Sequence, residues 1–214
     1  MTDTVIFDLD GTLLNTLDDL TDATNHVLKL YDYPLRSKEE VKSYVGNGLF
    51  KLIASAIPVR IADEELNKAY ISLREYYTDN CKVKTKPYDG IIEVLAQLNM
   101  KGYKTAVISN KNDAAVKALV KFYFDDYINI AVGEREGIRR KPAPDSLIEV
   151  MKLLDSKREN TVYVGDSEVD KETADNAHVR SVLVSWGFRS LKQLEACKPD
   201  IVINAPHELF AHIQ

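Results

Sequence analysis

Val5-Ile6-Phe7-Asp8-Leu9-Asp10-Gly11-Thr12-Leu13 is the stretch on which the fold turns. It begins as an apolar run of β-formers, which predicts a short buried strand. Two carboxylates follow at positions i and i+2, and a glycine comes next. Side chains two apart on a strand point to one side. Asp8 and Asp10 are therefore placed to face one spot at the strand's C-terminal end, with Gly11 already bending the chain. In an open parallel sheet, the crevice beyond those ends is where ligands bind. Two neighbouring carboxylates that both ionise repel each other unless a cation or a shared proton intervenes. A strand ending in a solvated acidic turn accounts for the same residues, and the stretch alone does not choose between the two readings.

The chain around it has 214 residues, 45% hydrophobic and 29% charged. That suits one large soluble domain, or a core domain with a smaller insert. A formal net charge of −5 argues against a nucleic-acid or anionic-membrane partner. It also means that an anionic substrate needs local compensation from a metal or from placed cations. Asp3 stands where a signal peptide would be positive. No apolar run approaches the ~20 residues of a membrane span. Cys81 and Cys197 lack metal-type spacing and read as reduced thiols of a cytoplasmic protein. His207 and His212, five apart, fall on different faces of a helix and form no metal set.

Helical periodicity follows the first strand over Asn15–Tyr31, then from Ser37 to about Ala56 with a break at Gly46-Asn47-Gly48, then from Asp63 to about Tyr77. A direct crossover to the next strand needs far fewer residues. The economical organisation is an α/β core of residues 1–14 and 83–214, with a small helical insert over 15–82. From Asp89 the pattern alternates helix and strand, which predicts a Rossmann-like parallel sheet. Its strands are expected at Lys104–Ile108, Tyr127–Val132, Thr161–Val164, Ser181–Ser185 and Ile201–Ile203, with a last helix from about Pro206.

Laid on such a sheet, the strand ends present Asp8 and Asp10, Ser109 and Asn110, and Asp166, while Lys141 arrives from the loop Arg139-Arg140-Lys141-Pro142. A hard cation such as Mg²⁺ takes oxygen ligands, usually a few carboxylates plus water and substrate phosphate. A hydroxyl, an amide and an ammonium suit the remaining phosphate oxygens. A carboxylate beside the metal can attack phosphorus, and a neighbouring acid can protonate the leaving oxygen and later deprotonate water.

Asp8-Leu9-Asp10-Gly11-Thr12-Leu13, Ser109-Asn110-Lys111, Lys141-Pro142 and Gly165-Asp166-Ser167-x-x-Asp170 resemble, in order, the four motifs of the haloacid dehalogenase-like superfamily. The resemblance spans essentially the whole chain and puts the helical insert in the family's cap position. It implies a Mg²⁺-dependent phosphatase acting on a small phosphorylated metabolite. Asp8 would be nucleophile and metal ligand, and Asp10 the acid/base, with its carbonyl on the metal. Ser109 and Lys141 would hold the phosphoryl group, while Asp166, with Asp170 as ligand or support, would complete the metal site. Thr12 and Asn110 would touch substrate. Gly46, Asn47 and Gly48 are either a cap loop that does so or a plain helix break.

Asp10 argues against the dehalogenase branch, and Thr12 is more similar to phosphatases than to sugar phosphomutases. Tyr44-Val45-Gly46-Asn47-Gly48-Leu49, Pro87-Tyr88-Asp89-Gly90 and Trp186-Gly187-Phe188 resemble phosphoglycolate phosphatases. Asn15-Thr16 and His178 depart from the family pattern, which expects Asp-Ser and glycine there. The alternatives within the superfamily are a pyrophosphatase or a phosphosugar mutase. An aspartate-phosphorylated signalling receiver is a third reading, disfavoured because the predicted strand Tyr127–Val132 ends without an Asp. The expected protein is a cytoplasmic monomer or homodimer.

Overall fold

The computed structural model describes residues 2–213. Its elements run β1 (Thr4–Phe7), β2 (Leu14–Asn15), α1 (Leu17–Leu30), α2 (Lys38–Tyr44), α3 (Gly48–Ala56), α4 (Asp63–Asn80) and β3 (Lys86–Pro87). There follow α5 (Ile91–Met100), β4 (Lys104–Asn112), α6 (Asp113–Phe124), β5 (Ile130–Glu134), α7 (Asp145–Leu153), β6 (Thr161–Gly165), α8 (Glu168–Ala177), β7 (Arg180–Val184), α9 (Leu191–Ala196) and β8 (Ile201–Ile203). The chain divides into two units: one holds everything up to Leu14 and from Pro87 onward, the other Asn15–Lys86.

The first unit is a six-stranded sheet in the order β5-β4-β1-β6-β7-β8, with every neighbouring pair parallel. β1 lies between β4 and β6, and Phe7 is level with Val107 and Val164. β1 and β6 thus end around the residue that follows Phe7, while β4 runs on past it. Alternation sends Ile6, Ala106, Ile108 and Tyr163 to one face, where they pack with Leu147, Val150 and Met151 of α7 and Ala174 and Ala177 of α8. Phe7 and Val164 face the other way, towards Ile91 and Val94 of α5 and Leu209.

Two strand boundaries differ from the periodicity reading. β4 continues through Ser109-Asn110-Lys111 to Asn112. Ile108 pairs with Val132 and Asn112 with Glu134, so β4 spends two more residues than β5 over this interval and bulges. β5 begins at Ile130 because the N–H groups of Tyr127 and Ile128 still bond Phe124 O, at 2.9 and 3.1 Å, in the turn leaving α6. The chain's last turn, Pro206–Ala211, is a 3₁₀ helix.

The second unit is four helices. Leu17, Leu20, Ala23, Val27 and Leu28 of α1 are buried, as are Val41 of α2, Leu52, Ile53 and Ala56 of α3, and Ala69, Leu73 and Tyr77 of α4. Ser37 and Glu40 form a capping box that starts α2. Gly46 (φ 121°) and Gly48 (φ 79°) separate α2 from α3, with Asn47 between them as the N-cap of α3. Asp19, 2% exposed, accepts from Lys84 N at 2.9 Å and Thr85 N at 2.9 Å, tying the returning chain to the first turn of α1. No helix among the described residues is long and apolar enough to cross a membrane.

Candidate active site at the strand ends

β1 ends at Phe7 and the next residue, Asp8, donates its N–H to Val164 O at 2.8 Å, so it stays in line with the sheet. The chain then folds back on itself. Leu13 N and Leu14 N both donate to Leu9 O, at 3.0 and 2.9 Å, and Gly11 takes φ +89°. Trp186 Nε1 donates to Thr12 O at 3.1 Å and pins the turn. Thr12 Oγ1 is buried without a hydrogen-bond partner.

Lys141 is the hub. Its ammonium, 5% exposed, donates to Asp8 Oδ1 at 2.7 Å, to Asp170 Oδ1 at 2.7 Å and to Tyr163 OH at 2.9 Å. Asn110 holds the loop that carries it, because Lys141 N donates to Asn110 Oδ1 at 2.8 Å and Asn110 Nδ2 donates to Lys141 O at 3.0 Å. Asp170 stands in the first turn of α8. Its Oδ2 accepts from Ser167 Oγ at 2.6 Å, Ser167 N at 3.1 Å and Asp166 N at 3.2 Å, while Tyr163 OH donates to Oδ1 at 2.9 Å. Asp166 Oδ2 accepts from Phe188 N at 2.6 Å. Ser109 Oγ accepts from Lys111 N at 3.2 Å, which leaves its O–H free to donate to a ligand. Asp10 pairs with a different lysine: Lys111 Nζ donates to its Oδ1 at 2.7 Å.

Asp8, Asp166 and Asp170 each offer one oxygen, and these lie within 4.8 Å of one another, all buried. Glycines make room for them. A Cβ on Gly11 would fall 2.3 Å from Asp166 Oδ2, on Gly187 2.3 Å from Asp166 Cβ, and on Gly165 2.3 Å from Asp170 Cβ. Close approach of backbone to carboxylate, rather than turn geometry alone, is thus what calls for glycine at these positions.

Burial pushes the Asp8 carboxyl up to about 7; the Asp170 charge adds to this and the Lys141 ammonium only partly offsets it. Burial, reinforced by Asp170 and Asp8, holds Asp166 well above the usual carboxylate range. Burial opposes charge on Asp170 too, but Lys141 and the hydrogen bonds from Lys141, Ser167 and Tyr163 hold it below its ordinary value. Burial alone would lower Lys141, yet Asp170 and Asp8 keep it raised and protonated. Lys141 pairs with two of the three buried carboxylates, Asp8 and Asp170, and burial resists ionisation of Asp8 and Asp166 beyond what the nearby cations offset. An all-oxygen donor set short of positive charge fits a hard divalent cation such as Mg²⁺.

Asp8, Asp166, Asp170, Lys141 and Asn110 therefore come together, with Asp10 and Ser109 linked to them through Lys111. Gly46, Asn47 and Gly48 belong to the helical unit, which carries none of these side chains. Residue patterns missed Tyr163, which reads as core, and the Phe188 N–H, since a backbone donor has no sequence identity. Ser167 was legible as a capping serine three residues before Asp170.

Known proteins resemble this chain in sequence and in fold. The haloacid dehalogenase-like hydrolase family profile matches residues 5–184. A phosphoglycolate phosphatase of Neisseria meningitidis is 34% identical, over 98% of this chain and 93% of its own. The pyrophosphatase PpaX of Bacillus cereus is 30% identical, over 96% and 94%. A crystal structure from Lactobacillus delbrueckii subsp. bulgaricus, provisionally assigned as a phosphoglycolate phosphatase, superposes with a TM-score of 0.93 at 35% identity, covering 100% of this chain and 99% of that one. This chain belongs to the haloacid dehalogenase-like hydrolases, in their phosphoglycolate phosphatase-like branch.

Proposed function

We propose that this hydrolase removes the phosphoryl group from a small phosphorylated metabolite, with Mg²⁺ at the Asp8–Asp166–Asp170 cluster and an aspartyl-phosphate on Asp8. The buried carboxylate trio around Lys141 carries the reading. An oxygen of Asp8 attacks phosphorus and the bond to the leaving oxygen breaks, with Asp10 supplying the proton that oxygen takes up. Asp10 then removes a proton from water, whose oxygen attacks the aspartyl-phosphate, releasing inorganic phosphate and regenerating Asp8. Lys141 stays ionised throughout, orients Asp8, and sets positive charge beside the transferring group. Ser109 donates to a phosphoryl oxygen. When bound, Mg²⁺ would neutralise phosphoryl charge and keep Asp8 ionised. Asp170, already bonded by five donors, holds Lys141 and Ser167 in place and would also face the cation.

Phosphoglycolate is the leading substrate, because the chain is similar to phosphoglycolate phosphatases in both sequence and structure. Pyrophosphate is second, on the likeness to PpaX. The test is phosphate release from a broad metabolite panel with and without Mg²⁺, read as kcat/KM. Asp8→Asn is expected to lose at least about 10³-fold in kcat. No phosphate release from any ester or anhydride, or activity retained by Asp8→Asn, overturns the reading. Isomerised sugar phosphate without net phosphate release would point to a mutase instead.

A further inference from the structure

Lys111 is the second buried lysine of the site, and the reaction outlined above gives it no task. Its side chain is 4% exposed against 5% for Lys141, so the two are withdrawn to about the same degree. Its ammonium bonds Asp10, whose side chain is 15% exposed. Three consecutive residues of β4 have three separate partners. Ser109 Oγ meets Lys111 N, Asn110 is turned onto the Lys141 backbone, and Lys111 Nζ reaches Asp10. The three residues lie within the interval where β4 bulges against β5, and the packing there is close. A Cβ on Gly133 would fall 2.5 Å from Lys111 O and 2.5 Å from Asp113 Cα.

We propose that Lys111 reads the leaving group, selecting phosphate esters and anhydrides whose departing portion carries its own negative charge. The inference rests on the phosphatase reading and adds the leaving-group class to it. In that reading Asp10 works on the leaving oxygen, so the cation bonded to Asp10 stands on the leaving-group side. The transferred phosphoryl has Lys141 and Ser109. Lys141 is itself committed to Asp8 and Asp170. A leaving group with a carboxylate or second phosphoryl a few bonds from the scissile oxygen gives Lys111 a charge-assisted partner. A neutral alcohol gives it none. Both substrates favoured above meet this requirement, one through a carboxylate and the other through a phosphoryl. Lys111 makes and breaks no covalent bond.

The experiment compares 2-phosphoglycolate with ethyl phosphate, in which a methyl group replaces the carboxylate, using the full chain with Mg²⁺. Wild-type kcat/KM is expected to favour phosphoglycolate at least about tenfold. Lys111→Met lowers that ratio by roughly ten- to a hundredfold, the size of one hydrogen bond to a charged group, and Lys111→Arg keeps most of it. A wild-type ratio near one overturns the proposal without any variant. So does an unchanged ratio in Lys111→Met, which would make Lys111 only a prop for Asp10; in either case activity on ethyl phosphate leaves the phosphatase reading standing. A wild type inert on both esters and on the metabolite panel overturns both.

Discussion

Asp8 holds its proton to about 7, whereas an exposed aspartate loses it near 3.8. The metal-free folded chain therefore binds more protons than the unfolded chain between those values, and stability falls as pH rises through that window. Above about 7 the penalty is constant. Asp8→Asn removes it, so the variant's gain in Tm over metal-free wild type should grow from pH 4 to 7 and then level off, as thermal scans across pH can check. Asp166, raised for the same reason, adds to the wild-type slope. Mg²⁺ must displace these protons, so its binding should strengthen as pH climbs towards 7; calorimetric titration at pH 5.5, 6.5 and 7.5 would show it, and a pH-independent affinity would contradict it. Lys141→Met leaves two buried carboxylates without their cation and should cost about 3–5 kcal/mol of stability, measurable by urea unfolding.

At the scale of elements, β4 and its bulge are where pattern reading and structure part. β1, β6 and β7 are apolar runs buried on both faces, and helical periodicity found α1 to α4 closely. Ser109-Asn110-Lys111-Asn112 has no strand pattern; it is held extended by Lys141, Asp10 and β5, partners 22 or more residues away that no local window contains. The ribbon strands β2 and β3, two residues each, are too short to leave any periodicity. The acids and Lys141 were legible because their chemistry is written in residue type, while Tyr163 was not, being a strand residue like its neighbours. Gly133→Ala tests the bulge: the added Cβ meets backbone, so a loss of about 1–3 kcal/mol in stability is expected. If Lys111 is displaced with it, the phosphoglycolate-to-ethyl phosphate preference should fall as well.

Across the whole molecule, a net charge of −5 coexists with a site built for anions, and the local arrangement of lysines, not the overall sign, resolves it. The helical unit has its own internal tie in Asp19, whose two backbone partners Lys84 N and Thr85 N lie 65 and 66 residues away. Asp19→Ala strands both N–H groups and should lower stability by about 1–3 kcal/mol while leaving the chemistry of the acid cluster intact, a split that unfolding and kcat measured together would reveal.

The chain leaves the sheet unit at Leu14 and rejoins it at Pro87, and these two points belong to one short ribbon, with Tyr88 N bonded to Leu13 O at 3.1 Å. Departure and return are thus neighbours, like the two cut ends of a graft. Seventy-two residues hang from a junction that no strand of the large sheet has to move to accommodate. Such a junction accepts a replacement of another length or helix count as readily as the original. A bridge of about four glycine-rich residues in place of 15–86 should therefore leave a sheet unit that still unfolds cooperatively. The acid cluster and both of its lysines lie wholly within the sheet unit, so their hydrogen-bond network should survive such an exchange.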